Sequence, residues 1–338
     1  MTSSLVPNLT GMGIFGMGMS VPDRILTNED LAKIVDTNND WIVSRTGIRE
    51  RRITDADTAT SDLAAAAALA AMEDASIDPE EIDMVICATT SGDYVWPATA
   101  CVVQRRIGAN RAAAFDLSAA CSGFCYGLTV ASGLIRSGTM KNILLIGADT
   151  LTKHLNWQDR ATCILFGDGA GAVVLRPCNP EEGMISSALG ADGNGLESVW
   201  IPAGGTRTPT SPETLNAQLN SLTMRGQEVY RFAIEKVPSI ILEALKRVCL
   251  LPSDVTLMVM HQANLRIMQT VAKRLDFPME RVFINLDKYG NTSAASIPMA
   301  LTEAQSQNLL HKGDIVVTVG FGAGLTWGAN VIRWNRDR

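Results

Sequence analysis

The chain has 338 residues, of which 46% are hydrophobic and 19% charged, and its formal net charge is −6. This length predicts two domains or one large duplicated unit, and the acidic balance without a basic tail argues against a nucleic-acid-binding protein. The seven cysteines are odd in number and show no Cys-x-x-Cys spacing, which is typical of a reducing compartment. The first seven residues lack the charged and apolar regions of a secretory signal. We therefore expect an oligomeric protein of the cytoplasm that binds neither nucleic acid nor a membrane.

Strand-like and helix-like segments alternate along the chain, which predicts the α/β class. The glycine-rich run at 11–18 matches the dinucleotide-binding pattern Gly-x-Gly-x-x-Gly. Because this run is itself apolar and Pro22 follows it, it predicts a strand and not a nucleotide site. Further strands are predicted at 83–90, 112–115, 141–148, 166–175, 183–192, 255–260, 281–285, 314–320 and 326–334. Helices are predicted at 27–36, 61–76, 98–107, 117–135, 224–249, 265–275 and 293–307.

A short segment from Asn39 to Arg52 concentrates four arginines around one tryptophan, Trp41. A merely solvated charged segment would not need the tryptophan. An aromatic ring flanked by guanidinium groups suits a purine ring and its phosphates, although the pattern by itself is a weak indication of such a ligand.

The most informative stretch follows the strand at 112–115 and contains Cys121. From Leu117 to Ile135 there is no charged residue. The Ser, Thr and Gly residues in it favour a helix buried on every side over a membrane span. Cys121 falls in the first turn of this helix, where the partial positive charge of the N-terminus favours thiolate over thiol. By itself a cysteine there is more often a packing residue than a nucleophile.

The three histidines offer few candidates for proton chemistry. His154 lies in a polar loop and His311 beside a turn, so both are predicted to be surface residues. His261 directly follows the apolar strand at 255–260, and strand ends of α/β sheets present their residues to a crevice. No metal site is predicted, because no histidine or carboxylate has the spacing to supply further ligands.

Two patterns recur in the second half of the chain, which indicates an internal duplication. Phe166-Gly-Asp-Gly-Ala-Gly-Ala-Val-Val resembles Phe321-Gly-Ala-Gly-Leu-Thr-Trp-Gly-Ala-Asn-Val. A strand also leads into a small-residue helix both at Cys121 and at Asn291. The sequence therefore predicts two related halves, 1–177 and 178–338, that bring Cys121, His261 and Asn291 to one shared centre.

These residues carry a resemblance to a known family over nearly the whole chain. In order, the chain has Asp40-Trp41-Ile-Val-Ser-Arg45-Thr-Gly-Ile-Arg, Asp-Leu-Ser-Ala-Ala-Cys121-Ser-Gly-Phe, Asp159-Arg160 with Phe-Gly-Asp-Gly-Ala-Gly, His261-Gln-Ala-Asn-Leu-Arg266, Tyr-Gly-Asn291-Thr-Ser-Ala-Ala-Ser-Ile-Pro and Gly-Phe-Gly-Ala-Gly-Leu-Thr-Trp-Gly. The set resembles β-ketoacyl-acyl carrier protein synthase III, the condensing enzyme that starts type II fatty acid synthesis. The resemblance implies a thiolase-like fold, five-layered αβαβα with two duplicated halves, and a homodimer. Thiolases would have a second cysteine in the last glycine-rich turn, and elongating synthases a second histidine in place of Asn291.

The resemblance also implies a reaction. Cys121 would accept an acetyl group from acetyl-CoA, which is a substrate, so that no cofactor is expected. His261 and Asn291 would stabilise the enolate formed when malonyl-acyl carrier protein loses CO2, and the product would be acetoacetyl-acyl carrier protein. The backbone N–H groups of Cys121 and Ala323 would form an oxyanion hole, and Phe321 would shield the site.

Binding residues are implied by the same resemblance. Those expected to bind CoA are Thr37, Trp41, Arg45, Arg160 and Asn264. Segment 225–281 has nine Lys or Arg and six Asp or Glu, and its docking residues for the acidic carrier protein would be Arg231, Arg266, Lys273 and Arg274. The primer pocket would be formed by Trp96, Leu151, Phe166 and Leu222, with Trp96 reaching across the dimer and favouring short acyl groups.

Two alternatives stay open at this point. One is a starter condensing enzyme of secondary metabolism, or another acyltransferase, with the same fold. The other is an inactive partner subunit, which the joint presence of Cys121, His261 and Asn291 disfavours, because such a subunit needs no nucleophile.

Overall fold

The computed structural model describes residues 10–337. The segment on which the prediction of no secretory signal rests lies outside these residues. The strands are β1 Gly11–Ser20, β2 Ile25–Thr27, β3 Glu50–Arg52, β4 Met84–Ala88, β5 Ala113–Leu117, β6 Ile143–Thr150, β7 Asp168–Cys178, β8 Gly183–Ala191, β9 Val199–Trp200, β10 Thr223–Met224, β11 Leu257–Met260, β12 Ile315–Gly322 and β13 Thr326–Arg333. The α-helices are α1 Asn28–Leu31, α2 Asn39–Thr46, α3 Thr60–Asp74, α4 Thr99–Arg106, α5 Gly123–Arg136, α6 Arg160–Cys163, α7 Pro212–Asn216, α8 Gly226–Lys246, α9 Leu265–Arg274, α10 Leu286–Tyr289 and α11 Ser296–Ser306.

The two main sheets repeat one pattern, which confirms the predicted duplication. The first has the strand order β1-β7-β6-β4-β5 and the second β8-β13-β12-β11. In each sheet the first two pairings are antiparallel and the next is parallel. In the second sheet a single parallel bridge between Met258 of β11 and Val282 takes the position that β5 has in the first sheet. The strand predicted at 281–285 is therefore present only as this one bridge. The predicted boundary between residues 177 and 178 falls at the end of β7 and stays a prediction.

Five layers result from the way these elements bury their apolar faces. Helices α3 and α4 pack on the outer face of the first sheet, and α8 and α9 on that of the second. Helices α5 and α11 lie between the sheets. In α5 the buried residues Phe124, Leu128, Ala131 and Ile135 recur at helical spacing. The five-layered α/β prediction is confirmed.

Helix α5 differs from its prediction in two respects. It begins at Gly123 rather than at 117, because β5 continues to Leu117 and a 3-10 turn follows at Ala120–Ser122. It is also not buried on every side, since 38% of Val130 is exposed. Among the described residues, no helix is both long and apolar enough to cross a membrane.

Candidate active site

Cys121 lies in the 3-10 turn between β5 and α5, where the two halves of the fold meet. Ala120 enters the turn with a left-handed φ of 46°. A Cβ placed on Gly322, at the end of β12, would lie 2.8 Å from the backbone N of Cys121 and 3.2 Å from its Sγ. The cysteine from the first half therefore packs directly on the last strand pair of the second half, and only glycine leaves room for it.

The protonation state of Cys121 differs from the sequence prediction. Burial raises the pKa of its thiol to about 12, and the negative charge of Asp149 acts in the same direction. A hydrogen bond with Ser293 lowers the pKa but does not offset the burial. The lowered pKa predicted from the helix N-terminus is therefore wrong, because Cys121 sits in the preceding turn, packed against β12 of the second half.

His261 directly follows β11, as the sequence predicts, and is fully buried. Its ring Nδ1 lies 2.8 Å from the Oγ of Ser296. The backbone N–H of Gln262 donates to that same Oγ at 3.4 Å. The ring packs edge-on against Phe321 with 5.3 Å between the centroids. Burial lowers the pKa of His261 to about 3, so the imidazole is neutral, with Nδ1 engaged by Ser296 and Nε2 left for the site.

Asn291 is held by its backbone and by one end of its amide. Its N–H donates to the carbonyl of Leu165, and its carbonyl accepts the N–H of Gly167. Its side-chain Oδ1 accepts the N–H of Ser293 at 2.8 Å. Because the oxygen is used in this way, the amide group has its Nδ2 donors available. No hydrogen bond among residues 10–337 uses Nδ2 of Asn291.

The three predicted residues converge through shared neighbours. Phe321 and Gly322 are consecutive in β12, and the first contacts His261 while the second contacts Cys121. Ser293 joins the thiol of Cys121 to the amide of Asn291. The structure therefore brings the three side chains to one junction of the two halves.

Cys121 opens onto a cavity of about 270 Å³. Leu151, Phe166 and Leu222, which the sequence assigns to the primer pocket, line this cavity, and so does Ala323, whereas His261 and Asn291 do not. Sequence reasoning missed the other lining residues, which are Thr90, Ala120, His154, Val199, Trp200, Ile201 and Ser293.

His154 is not a surface residue as predicted, because the 3-10 turn Leu151–His154 carries it into the cavity wall. Trp96 does not line the cavity within its own chain. It is 82% exposed, beside Val95 at 91%, so its predicted role in the primer pocket of a partner stays a prediction.

The predicted CoA-binding residues fall into two groups. The guanidinium groups of Arg45 and Arg160 each lie 4.8 Å from the centroid of the Trp41 ring. Arg160 also donates to the carbonyl of Asp36 at 2.8 Å. The hydroxyl of Thr37 is shielded from solvent and has no hydrogen-bond partner among the described residues, so its predicted contact with CoA stays a prediction.

A second, larger recess of about 700 Å³ lies between α8 and α9. It contains Arg45, Arg231, Asn264 and Arg266, and thus residues from both the predicted CoA set and the docking set. Asn264 caps α9 by accepting the N–H of Arg266, and its Nδ2 donates to the carbonyl of Arg45. Asn264 follows His261 by only three residues. The N-terminus of α9 therefore lies between this basic recess and the buried site.

Lys273 and Arg274 lie exposed in the last turn of α9, outside the recess. Arg274 donates to the carbonyl of Ile234 in α8. The α9 helix thus presents positive charge at both of its ends.

One positioning residue escaped the sequence analysis. Asp149 in β6 is fully buried, and its Oδ1 accepts the N–H groups of Thr90 and Ser91. Its Oδ2 accepts the N–H of Ala294, in the turn that carries Ser293. A charged residue at the end of an otherwise apolar strand is the signal that could have identified it.

The described residues contain no group of three or more His, Cys, Asp or Glu side chains that could hold a metal ion. All seven cysteines are free thiols. The fold and the enclosed cysteine, with a neutral imidazole and an oriented amide beside it, define a condensing enzyme of the thiolase-like class, which is a class of acyltransferases.

Comparison with known proteins gives the family within that class. Residues 115–193 match the 3-oxoacyl-[acyl-carrier-protein] synthase III family and residues 245–334 match its C-terminal part. A β-ketoacyl-acyl carrier protein synthase III of Caldanaerobacter subterraneus subsp. tengcongensis is 52% identical over 96% of this chain and 98% of its own. The crystal structure of the synthase III from Pseudomonas aeruginosa superposes with a TM-score of 0.90 at 42% identity, covering 97% of this chain and 99% of that chain. A priming β-ketosynthase of the R1128 polyketide pathway gives 0.91 at 32% identity, covering 99% and 100%. The chain belongs to the β-ketoacyl-acyl carrier protein synthase III family.

Proposed function

We propose that this enzyme carries out the initiating condensation of fatty acid synthesis, joining acetyl-CoA and malonyl-acyl carrier protein into acetoacetyl-acyl carrier protein, CoA and CO2. The observation that carries the proposal is the junction at Cys121. A cysteine thiol opens onto a small, mostly apolar cavity, and a neutral imidazole and an oriented amide stand beside it. These groups suit thioester exchange followed by stabilisation of an enolate.

In the first step the Cys121 sulfur attacks the thioester carbonyl of acetyl-CoA. The new bond joins Sγ to the acetyl carbon, the bond from that carbon to the CoA sulfur breaks, and the proton of Cys121 leaves on CoA. Because burial raises the pKa of the thiol to about 12, this proton has to be accepted during the attack. His261 is the neutral base next to the site. The N–H groups of Cys121 and Ala323 are proposed to hold the oxyanion.

In the second step the malonyl group loses CO2 and leaves an enolate, whose oxygen needs neutral hydrogen-bond donors. Asn291 supplies its Nδ2, because its Oδ1 already accepts the N–H of Ser293. His261 supplies Nε2–H when the hydroxyl of Ser296 donates to Nδ1. A hydroxyl can also accept from Nδ1–H, so Ser296 serves both the basic and the donating tautomer of His261. The enolate carbon then attacks the acetyl carbon, the bond from that carbon to Sγ breaks, and the Cys121 thiolate takes up one proton from solvent to restore the thiol. Phe321 shields the site during this step.

The basic recess between α8 and α9 is proposed to receive the two large substrates. Arg45, Arg160 and Trp41 are suited to the adenine and phosphates of CoA, because guanidinium groups stack on aromatic rings and bind phosphates. Thr37 and Asn264 complete this proposed set. Arg231, Arg266, Lys273 and Arg274 would attract the acidic carrier protein to the same entrance.

We further propose a homodimer formed along the first sheet. Strand β5 ends that sheet and pairs with no further strand among the described residues, and unpaired sheet edges favour pairing with a second chain. The exposed side chains of Tyr94, Val95 and Trp96 precede α4, whose N-terminal N–H groups are held by Asp116 of β5. Such an apolar patch beside an open edge marks an interaction surface, from which Trp96 would reach the primer cavity of the partner and limit it to short acyl groups.

The halves 1–177 and 178–338 are proposed as the functional units, the first carrying the nucleophile and the second carrying His261 and Asn291. The enzyme is proposed to act in the cytoplasm, since its seven cysteines are all free.

The test is to incubate the purified protein with acetyl-CoA and malonyl-acyl carrier protein and to identify the product by mass spectrometry. Acetoacetyl-acyl carrier protein is expected, together with CO2 and free CoA. A protein that releases CoA but forms no carbon–carbon bond would refute the condensation.

The similarity to a priming ketosynthase of a polyketide pathway favours one second candidate, a starter enzyme of secondary metabolism. The same assay separates the two, because a starter enzyme would prefer a longer acyl-CoA and another carrier protein. The inactive-subunit alternative would give no product with any substrate.

A further inference from the structure

The cavity beside Cys121 has mostly apolar walls, and His154 is the exception that stands out. Two other polar side chains in the wall are engaged: the hydroxyl of Thr90 donates to Asp149, and Ser293 bonds to Cys121. Trp200 adds an indole N–H, which can donate but not accept. The imidazole of His154 has no hydrogen-bond partner for its ring among the described residues. Among the described lining residues, the imidazole of His154 therefore offers both a donor and an acceptor to an acyl group in the cavity.

The position of His154 is fixed by structure from a distant part of the chain. The residue ends the 3-10 turn Leu151–His154, directly after β6. The N–H of Leu222 donates to its carbonyl at 2.8 Å. Leu151 and Leu222 line the same cavity, so the backbone of His154 is held in the cavity wall by its neighbours in the fold.

We infer that His154 is a specificity-determining residue that selects acyl primers carrying a hydroxyl or carbonyl group beyond the thioester over hydrocarbon primers of the same shape. This inference rests on the proposed acylation of Cys121 and names the class of acyl group that the site accepts beyond acetyl.

The physical reason is the cost of leaving a polar group unpaired. Burial lowers the pKa of His154, so the ring is neutral at pH 7, with one N–H donor and one acceptor nitrogen. A hydrocarbon chain that displaces water from the ring leaves both of these groups unsatisfied. A hydroxyl group on the acyl chain can pair with either nitrogen, and sites built around such a pair reject analogues that lack it. An acetyl group has no atom beyond its methyl with which to make the contact.

The test uses two acyl-CoA thioesters of nearly identical shape. In 3-hydroxybutyryl-CoA a hydroxyl stands where isovaleryl-CoA has a methyl group, and acetyl-CoA serves as the reference. The rate at which each acyl group appears on Cys121 is followed by intact-mass spectrometry. We expect the wild-type protein to prefer the hydroxylated primer by about tenfold or more. His154→Leu should abolish or invert this preference, and His154→Gln, which retains a donor and an acceptor, should keep it.

His311→Leu is the matched control, because His311 is an exposed histidine beside Asp314, in the surface turn before β12. It should retain the wild-type ratio. A wild-type preference for isovaleryl-CoA, or an equal ratio in wild-type protein and His154→Leu, would overturn the inference. If His154→Leu does not fold, the inference is tested by the ratio of the two acylation rates in the wild type and in His154→Gln, both of which should favour the hydroxylated primer. If none of the three thioesters transfers its acyl group to Cys121, the proposed function is refuted, and this inference with it.

Discussion

Gly322 offers a test of how closely Cys121 depends on the second half of the fold. A methyl group on this residue would lie 2.8 Å from the backbone N of Cys121, 2.9 Å from its Cβ and 3.2 Å from its Sγ. Two of these atoms are fixed by the chain itself, so β12 and the cysteine turn would have to separate by about half an ångström to restore ordinary contacts. Overpacking of this kind costs about 1–3 kcal/mol of the free energy of unfolding. Displacement of a reacting group by a fraction of an ångström lowers rates by about tenfold or more.

We therefore expect Gly322→Ala to lower the free energy of unfolding by about 1–3 kcal/mol and the rate of Cys121 acetylation by at least about tenfold. Urea unfolding gives the first quantity and intact-mass spectrometry the second. The matched control is Gly133→Ala in α5, where an added Cβ meets nothing within 4 Å. It should leave acetylation unchanged and stabilise the helix by about 0.5–1 kcal/mol. Wild-type acetylation in Gly322→Ala, or an equal loss in both variants, would refute the packing argument.

Three further predictions follow from the site. Because burial raises the pKa of Cys121 to about 12, its alkylation by iodoacetamide should rise about tenfold per pH unit from pH 7 to 10; a plateau below pH 9 would show a stabilised thiolate instead. Ser296→Ala should slow decarboxylation of malonyl-carrier protein by about tenfold, whereas Ser296→Thr, which keeps the hydroxyl, should restore it; equal losses in both would indicate a merely structural role. Lys273→Glu, at the exposed end of α9, should raise the KM for malonyl-carrier protein severalfold at low salt without changing that for acetyl-CoA. Arg266→Glu, inside the basic recess, should raise the KM for both substrates. A raised KM for only one of them would contradict a shared entrance.

The order of the fold was predictable because its signals are local. The apolar run before His261 predicts a strand whose end faces a crevice, and the structure has β11 there. The recurrence around Cys121 and Asn291 predicts two related halves. Each of these features depends on residues close together in the sequence, so periodicity and motif spacing report them.

What the sequence could not supply depends on contacts between distant segments. His154 reads as a loop residue, and its place in the cavity wall follows from a hydrogen bond with Leu222, 68 residues later in the chain. The direction of the Cys121 pKa shift was also wrong, because burial raises the pKa and depends on contacts with distant residues such as Gly322. The link between Asp149 and Ala294 spans the two halves in the same way.

In the proposed reaction Cys121 carries the acyl group between the two substrates. This role is tested by the intact mass of the protein after exposure to acetyl-CoA. The proteins compared are the wild type, Cys121→Ala and Cys249→Ala, which removes an exposed thiol elsewhere on the surface. The wild type and Cys249→Ala should each gain the mass of one acetyl group, and Cys121→Ala should gain none. An acetyl group that persists on Cys121→Ala, or that disappears with Cys249→Ala, would contradict this role.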